Sequence, residues 1–221
     1  MKEILELLPH AVTRRRVKKR VILLCPGDIP QQVYIVRSGC VKMYRLGDSG
    51  EEQVAGFKAP GDIFPVSWAF NNTSNTMHYF ETLEDSVLLT VDRTEFLSLL
   101  AKQADFKTKA FDYLVKNHVG LMTHITALQQ TLAADKLLMM LYYLMVRHSI
   151  EKTSGEFWVK MKLRHATLAG LTGLTRETIT TELGKLKKKH VVRYTMRHFI
   201  IYRDQLKDAI GEDVFEEIQF S

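Results

Sequence analysis

Cysteine is scarce. The chain has 221 residues and only two cysteines, Cys25 and Cys40, which have neither metal-ligand spacing nor the number for a disulfide framework, so both read as small hydrophobes in strand-like runs. Long apolar runs are missing too. None approaches the roughly 20 residues needed to span a bilayer, and the opening MKEILELLPHAV is too acidic, and too short in its apolar part, for a secretion signal. The expectation is a cytoplasmic protein with no membrane partner. Catalytic signatures are absent as well. The eight histidines are scattered with no His-x-His pair, and neither Gly-x-Ser-x-Gly nor a phosphate-binding Gly-Lys-Ser/Thr occurs. Acidic pairs such as Glu84-Asp85 look like turn residues. These absences argue against cupin-type metal enzymes, hydrolases and nucleotide-triphosphate enzymes, and no metal site is expected. No repeat or low-complexity segment is visible. Proline vanishes after residue 65, all five lying within the first 65 residues, so a turn-rich front gives way to a more regular remainder.

What is present is most specific between residues 165 and 184, HATLAGLTGLTRETITTELG. Ala169, Gly173 and Ile179 stand where two short crossed helices need a small residue, a left-handed turn and an apolar plug. Thr175 is a good N-cap and Glu177 puts a carboxylate in the positively polarised first turn, so a second helix starts there. Ile179, Leu183 and Leu186 recur at i, i+4 and i+7 and form a buried stripe. Arg176, Glu177, Thr180, Thr181 and Gly184 are left on other faces, the candidate surface for reading the major groove of double-stranded DNA. Lys185, Lys187, Lys188 and Lys189 crowd the helix end, where they suit the macrodipole and phosphates alike, or form a solvated face. The charge distribution agrees with a duplex-binding module. Residues 153–211 carry twelve Lys or Arg against five Asp or Glu, whereas residues 1–107 balance fourteen against thirteen. Arg164, just ahead of the first helix, joins the DNA-contact candidates.

The flanking segments supply a scaffold. Short strand-like runs, RVILLC, QVYIVRSG, CVKMYRL, EEQVAGF and SVLLTV, are punctuated by glycines and suggest a β-sandwich or roll. Further on, Phe111, Leu114, His118, Leu121, Ile125, Leu128 and Leu132 are spaced 3, 4, 3, 4, 3, 4, the seam of a two-stranded coiled coil; a long helix that pairs with its own copy is expected, the other reading being packing on the roll of the same chain. Beyond the lysines, Val191-Val192 and the FIIY run at 199–202 suggest a two-stranded wing with Arg197 at its tip as a phosphate contact. The expected class is α+β, with an N-terminal β-roll domain over residues 1–107, a dimerisation helix over 108–134 and a winged helix-turn-helix domain over 135–221.

In its order of parts the chain resembles the CRP/FNR superfamily of bacterial transcription regulators. The resemblance rests on PGDIPQQVYIVRSGCVKMYR (26–45), APGDIFP (59–65) and LAGLTGLTRETITTELGKLKKKHVV (168–192), the Thr175-Arg176-Glu177-Thr178 run being its most specific part. It implies an eight-stranded jelly roll like a cyclic-nucleotide-binding domain, a homodimer on a near-palindromic operator, and RNA polymerase as a partner if the protein activates. The family's base-reading arginine and glutamate match Arg176 and Glu177, suited to guanine and cytosine edges. The family position often held by a second arginine is Thr181 here, which implies a different half-site. The sensory pocket departs further. Gly61-Asp62, followed by Ile63, would replace the family's Gly-Glu pair, but its phosphate-neutralising Arg-Ser or Arg-Thr falls on Thr76-Met77, and no Arg or Lys occurs between Lys58 and Arg93. A buried phosphate without a cation is costly, so cyclic AMP and cyclic GMP are not expected as effectors. An iron–sulfur cluster, needing four cysteines, is not expected either. Among the alternatives, a haem would have only His78, Cys25 and His118 by residue type. A cyclic dinucleotide would meet Arg14, Arg15, Arg16 and Lys18 in the TRRRVKKR stretch, unless that is a solvated edge, or polar groups of the dimer helix such as Thr123, His124 and Thr126. A ligand-regulated dimer acting on another protein is the remaining reading, which sequence-specific DNA binding would exclude.

Overall fold

The structure, a computed structural model, describes residue 7, residues 12–195 and residues 198–211. The chain packs as two compact units, one ending at Val115 and the other starting at Lys116.

The first unit contains β1 (Thr13–Val17), β2 (Ile22–Leu24), β3 (Val33–Ser38), β4 (Val41–Leu46), β5 (Glu52–Lys58), β6 (Ile63–Phe64), the short α1 (Val66–Ala69), β7 (Tyr79–Thr82) and β8 (Ser86–Val91). They form two antiparallel four-stranded sheets of order β1-β8-β3-β6 and β2-β7-β4-β5, the roll expected from the sequence. The run VYIV in β3 is apolar throughout because its two faces feed two cores. Tyr34 and Val36 join Val41, Phe64, Phe80 and Leu88 in one cluster. Val33 and Ile35 face the other way, onto Ile63, Leu89, Phe96 and Phe106. Between β3 and β4, Gly39 has φ +88°, and a Cβ there would collide with Ser86 Oγ and lie 2.7 Å from the Asp85 carbonyl, so no other residue fits this turn. β1 is an edge strand with Arg14, Arg15 and Arg16 all exposed.

After the roll come α2 (Arg93–Lys102), N-capped by the Asp92 carboxylate accepting from Thr94 N–H at 2.7 Å, and the long α3 (Ala104–Gln129), within which the unit boundary falls. Phe106, Ala110, Tyr113, Gly120, His124 and Ala127 form the buried stripe of α3. Tyr113 uses its hydroxyl to bond Ile63, donating to its carbonyl at 3.1 Å and accepting from its N–H at 3.2 Å. Gly120 leaves room for the stem of Arg147, whose Cδ would lie 3.1 Å from a Cβ there.

The second unit adds α4 (Ala133–His148), β9 (Ser149–Thr153), β10 (Glu156–Val159), α5 (His165–Thr172), α6 (Arg176–Lys188), β11 (Val192–Tyr194), β12 (Phe199–Tyr202) and α7 (Arg203–Ile210). Every residue of α4 from Leu137 to Met145 is buried, because the helix packs against α5, α6, α7 and the β9–β10 hairpin together. The two-stranded wing expected from the sequence is part of a four-stranded antiparallel sheet of order β11-β12-β10-β9. No helix among the described residues is long and apolar enough to cross a membrane.

Candidate nucleic-acid interface

The helix-turn-helix is built from local chemistry. α5 ends where Gly173 takes φ +70° and ψ 13°, the left-handed conformation that closes a helix C-terminus, and its N–H donates to the Ala169 carbonyl at 2.9 Å. Two residues later Thr175 N-caps α6, its hydroxyl accepting from Thr178 N–H at 3.1 Å. Ile179 and Leu183 are fully buried and Leu186 nearly so. Burying each such side chain is worth about 1.5–3 kcal/mol, so this stripe fixes which side of α6 faces water. Arg176, Glu177, Thr180 and Thr181 are all exposed.

The exposed face is only partly unconstrained. Thr180 Oγ1 bonds the Arg176 carbonyl at 2.8 Å and lies 2.9 Å from His165 Nδ1, which ties the start of α5 to the exposed face of α6. His165 meets Tyr194 of β11 edge-on at 5.6 Å, and Tyr194 stacks on Phe199. Neither His165 nor Tyr194 stands out in the sequence, since His165 meets Thr180 15 residues away and Tyr194 29 residues away; only proximity to the motif marks His165. Of the lysines, Lys185 is paired with Glu182 at 2.7 Å, Lys187 holds its ammonium 5.3 Å above the Tyr194 ring, and Lys188 is exposed. Arg164 is exposed at the N-cap of α5 without capping it by its side chain. Arg197, expected at the wing tip, lies outside the described residues.

The dimer-seam candidates are partly redistributed. Leu121, Ile125 and Leu128 are exposed on α3 beside Phe111, Val115 and Met122, and His118 is exposed too. Leu114 is half-buried against the core of the roll. Leu132 is not on α3 at all: the helix ends at Gln129, where Gln130 N–H reaches back only to Ala127 and its side-chain amide caps the Thr126 carbonyl at 3.1 Å. Leu132 instead precedes α4, exposed.

Most effector candidates turn out to be engaged in the fold. The Asp62 carboxylate is fully buried and accepts from Ala59 N–H at 2.7 Å, closing the β5–β6 turn, so it is not presented to a ligand. Ile63 belongs to the core. Thr76 is buried and docked on the β2–β3 turn, its N–H donating to the Asp28 carbonyl at 2.9 Å and its carbonyl accepting from Gly27 N–H at 2.8 Å, while Met77 is exposed. Thr123 gives its hydroxyl to the Val119 carbonyl at 2.9 Å. His124 donates through Nε2 to the Leu171 carbonyl at 3.2 Å and stacks on Tyr143. Both therefore pack inward instead of facing a ligand. Arg14, Arg15 and Arg16 remain exposed, and Lys18 pairs with Asp85 at 3.2 Å. One feature escaped the linear reading. Burial, reinforced by Arg45 of β4 and Lys58 of β5, holds His78 below the usual histidine range, so cations from neighbouring strands stand near the loop that carries none of its own.

A helix-turn-helix braced by a wing, in a chain that also carries an eight-stranded roll, defines a DNA-binding class of protein. Comparison with known proteins agrees. The cyclic nucleotide-binding domain family matches residues 14–103, and the Crp-like helix-turn-helix domain family matches residues 135–209. The regulatory protein HlyX of Actinobacillus pleuropneumoniae is 25% identical over 199 residues, covering 89% of this chain and 81% of that protein. The structure of FixK2 from Bradyrhizobium japonicum superposes with a TM-score of 0.74 at 19% identity, covering 91% of this chain and 98% of that one. The c-di-GMP-responsive regulator CLP of Xanthomonas campestris shares the fold at a TM-score of 0.66 and 19% identity, covering 91% of this chain and 99% of that one. The chain belongs to the CRP/FNR superfamily and is a transcription regulator.

Proposed function

We propose that the protein acts in the cytoplasm as a homodimer on a near-palindromic operator, reading each half-site with Arg176 and Glu177. The observation that carries this is the division of α6: an apolar stripe with almost no exposure on one side, and Arg176, Glu177, Thr180 and Thr181 together in solvent on the other. The exposed apolar row of α3, from Phe111 to Leu128, supports the second copy. Two recognition helices related by a two-fold axis require half-sites about one helical turn apart. Selection from random duplexes tests the proposal. It should return an inverted repeat with that spacing; a single unrepeated element would refute the dimeric reading.

The effector is proposed to be something other than a cyclic mononucleotide, because Asp62 is consumed in a turn and Thr76 is docked on backbone. A cyclic dinucleotide is the favoured candidate. The three exposed arginines of β1 supply positive charge for two phosphates, and a regulator of the same fold is described as responding to c-di-GMP. Calorimetric titration with c-di-GMP, cyclic AMP and cyclic GMP tests this, and Arg14→Ala with Arg16→Ala should abolish the c-di-GMP heat. If the protein activates transcription, RNA polymerase is its further proposed partner.

A further inference from the structure

Thr180 lies one turn beyond Arg176 on the reading side of α6, exposed, yet its hydroxyl is doubly engaged: 2.8 Å from the Arg176 carbonyl and 2.9 Å from His165 Nδ1. A hydroxyl has one proton. The Arg176 carbonyl can only accept, so the arrangement that satisfies both contacts has Thr180 donating to that carbonyl and His165 Nδ1–H donating to Thr180. If His165 Nδ1 carries no hydrogen, the Thr180 proton still goes to one of these two partners. Either way no O–H remains to donate to a base acceptor. The imidazole has little freedom to release it, because Tyr194 sits against it at 5.6 Å with ring planes 76° apart, and Tyr194 is itself stacked on Phe199 at 5.6 Å and 11°.

With its proton committed, what Thr180 offers beyond one acceptor lone pair is its γ-methyl. In the major groove only thymine presents a methyl group, and a threonine methyl is a known complement to it, whereas an unengaged hydroxyl reads donors and acceptors indiscriminately. We propose that His165 is a positioning residue for base reading: by holding the Thr180 hydroxyl, it makes the Thr180 methyl a contact for one thymine in each half-site. This rests on α6 being the reading helix.

The test uses the selected operator, with each half-site thymine replaced in turn, in both half-sites together, by deoxyuridine, which lacks only the methyl group. The wild-type protein should lose affinity at one symmetric position, about fourfold per half-site, the ratio given by burying one methyl at about 0.8 kcal/mol. Thr180→Ser keeps the hydroxyl without the methyl and should bind thymine and deoxyuridine duplexes equally. Thr180→Val keeps methyl groups without the hydroxyl and should still discriminate. His165→Ala should lose the discrimination and broaden base preference at that position, while the guanine preference owed to Arg176 stays, which also certifies that the variant is folded. Equal wild-type affinity for every deoxyuridine duplex, or full discrimination in His165→Ala, overturns the role of Thr180 and His165 alone. Absence of any sequence preference in the wild type overturns the reading of α6 and this inference with it.

Discussion

Arg176 and Lys188 both project from α6 into solvent, yet their removal should have different consequences. Arg176→Ala deletes a bidentate donor for a guanine edge, so it should cost about 1–3 kcal/mol at a guanine-containing half-site and relax the preference there. Lys188→Ala should weaken all duplexes alike and lower the salt dependence of binding. Competition assays against shuffled duplexes separate the two outcomes, and an unchanged selected motif for Arg176→Ala would remove it from the base-reading set. Elsewhere, His78 predicts a pH response. Its folded form resists protonation, chiefly through burial and then through Arg45 and Lys58, whereas the unfolded chain binds a proton near pH 6.5. The stability it confers is present above about pH 6.5 and is lost as pH falls toward its lowered folded value. The thermal midpoint of His78→Gln should therefore fall less than that of the wild type between pH 7 and 5; parallel curves would show that His78 does not contribute. The start of α6 and its split into a buried and an exposed face are legible in the sequence because N-cap, first-turn charge and apolar period are all local signals. The fold contacts of Asp62 and Thr76 are not legible there, because their partners, Ala59 N–H and the β2–β3 turn, emerge only when the loops close.

At the scale of elements, α3 carries two neighbouring rows of one period, one packed within the chain and one left exposed, the latter being the row expected from the sequence to meet a second copy. Its buried stripe, Phe106, Ala110, Tyr113, Gly120, His124 and Ala127, repeats with the same 3–4 spacing as the row read from the sequence, one residue earlier. Gly120, His124 and two alanines do not look like core, so the buried row is hidden in the sequence while the more apolar neighbouring row stands out. Leu114, on the border, is drawn half into the roll. The exposed row still makes a prediction. Leu121→Glu with Ile125→Glu would bring four carboxylates together in a two-fold helix pair, which an apolar interface does not tolerate. The double variant should sediment as a monomer and bind the operator on the order of 100-fold more weakly, one half-site having lost its tethered partner. A dimer that persists would place the interface on another surface. In the turn between α5 and α6, Gly173→Ala meets no steric obstacle but must hold φ +70°. The left-handed backbone costs about 1–2 kcal/mol for a residue with a Cβ, which denaturant unfolding should register as a lower midpoint with an unchanged slope.

For the whole molecule, the order of roll, long helix and winged helix-turn-helix was legible from glycine spacing, heptads and one motif. The β9–β10 hairpin was not, since SIEKT and EFWV gain strand character only by pairing with each other and with β12. Effector chemistry is the property spread most widely along the chain, because it depends on which distant strands converge. Neither cyclic AMP nor cyclic GMP should bind with useful affinity. The missing arginine–phosphate contact is worth about 1.5–3 kcal/mol, a weakening of roughly 10- to 150-fold. Micromolar heats with cyclic AMP in titration calorimetry would mean that Arg45 and Lys58, arriving from β4 and β5, take over that role. The arginines of β1 have a separate consequence. An outermost strand offers unpaired N–H and C=O groups along which another chain can add, and charge on that strand is how natural sheets avoid such aggregation. Three successive exposed arginines make the roll repel a second roll edge to edge. That protection weakens when salt shortens the Debye length to about 3 Å at 1 M, and a bound polyanion would cancel it, so solubility and occupancy of this edge would be opposed.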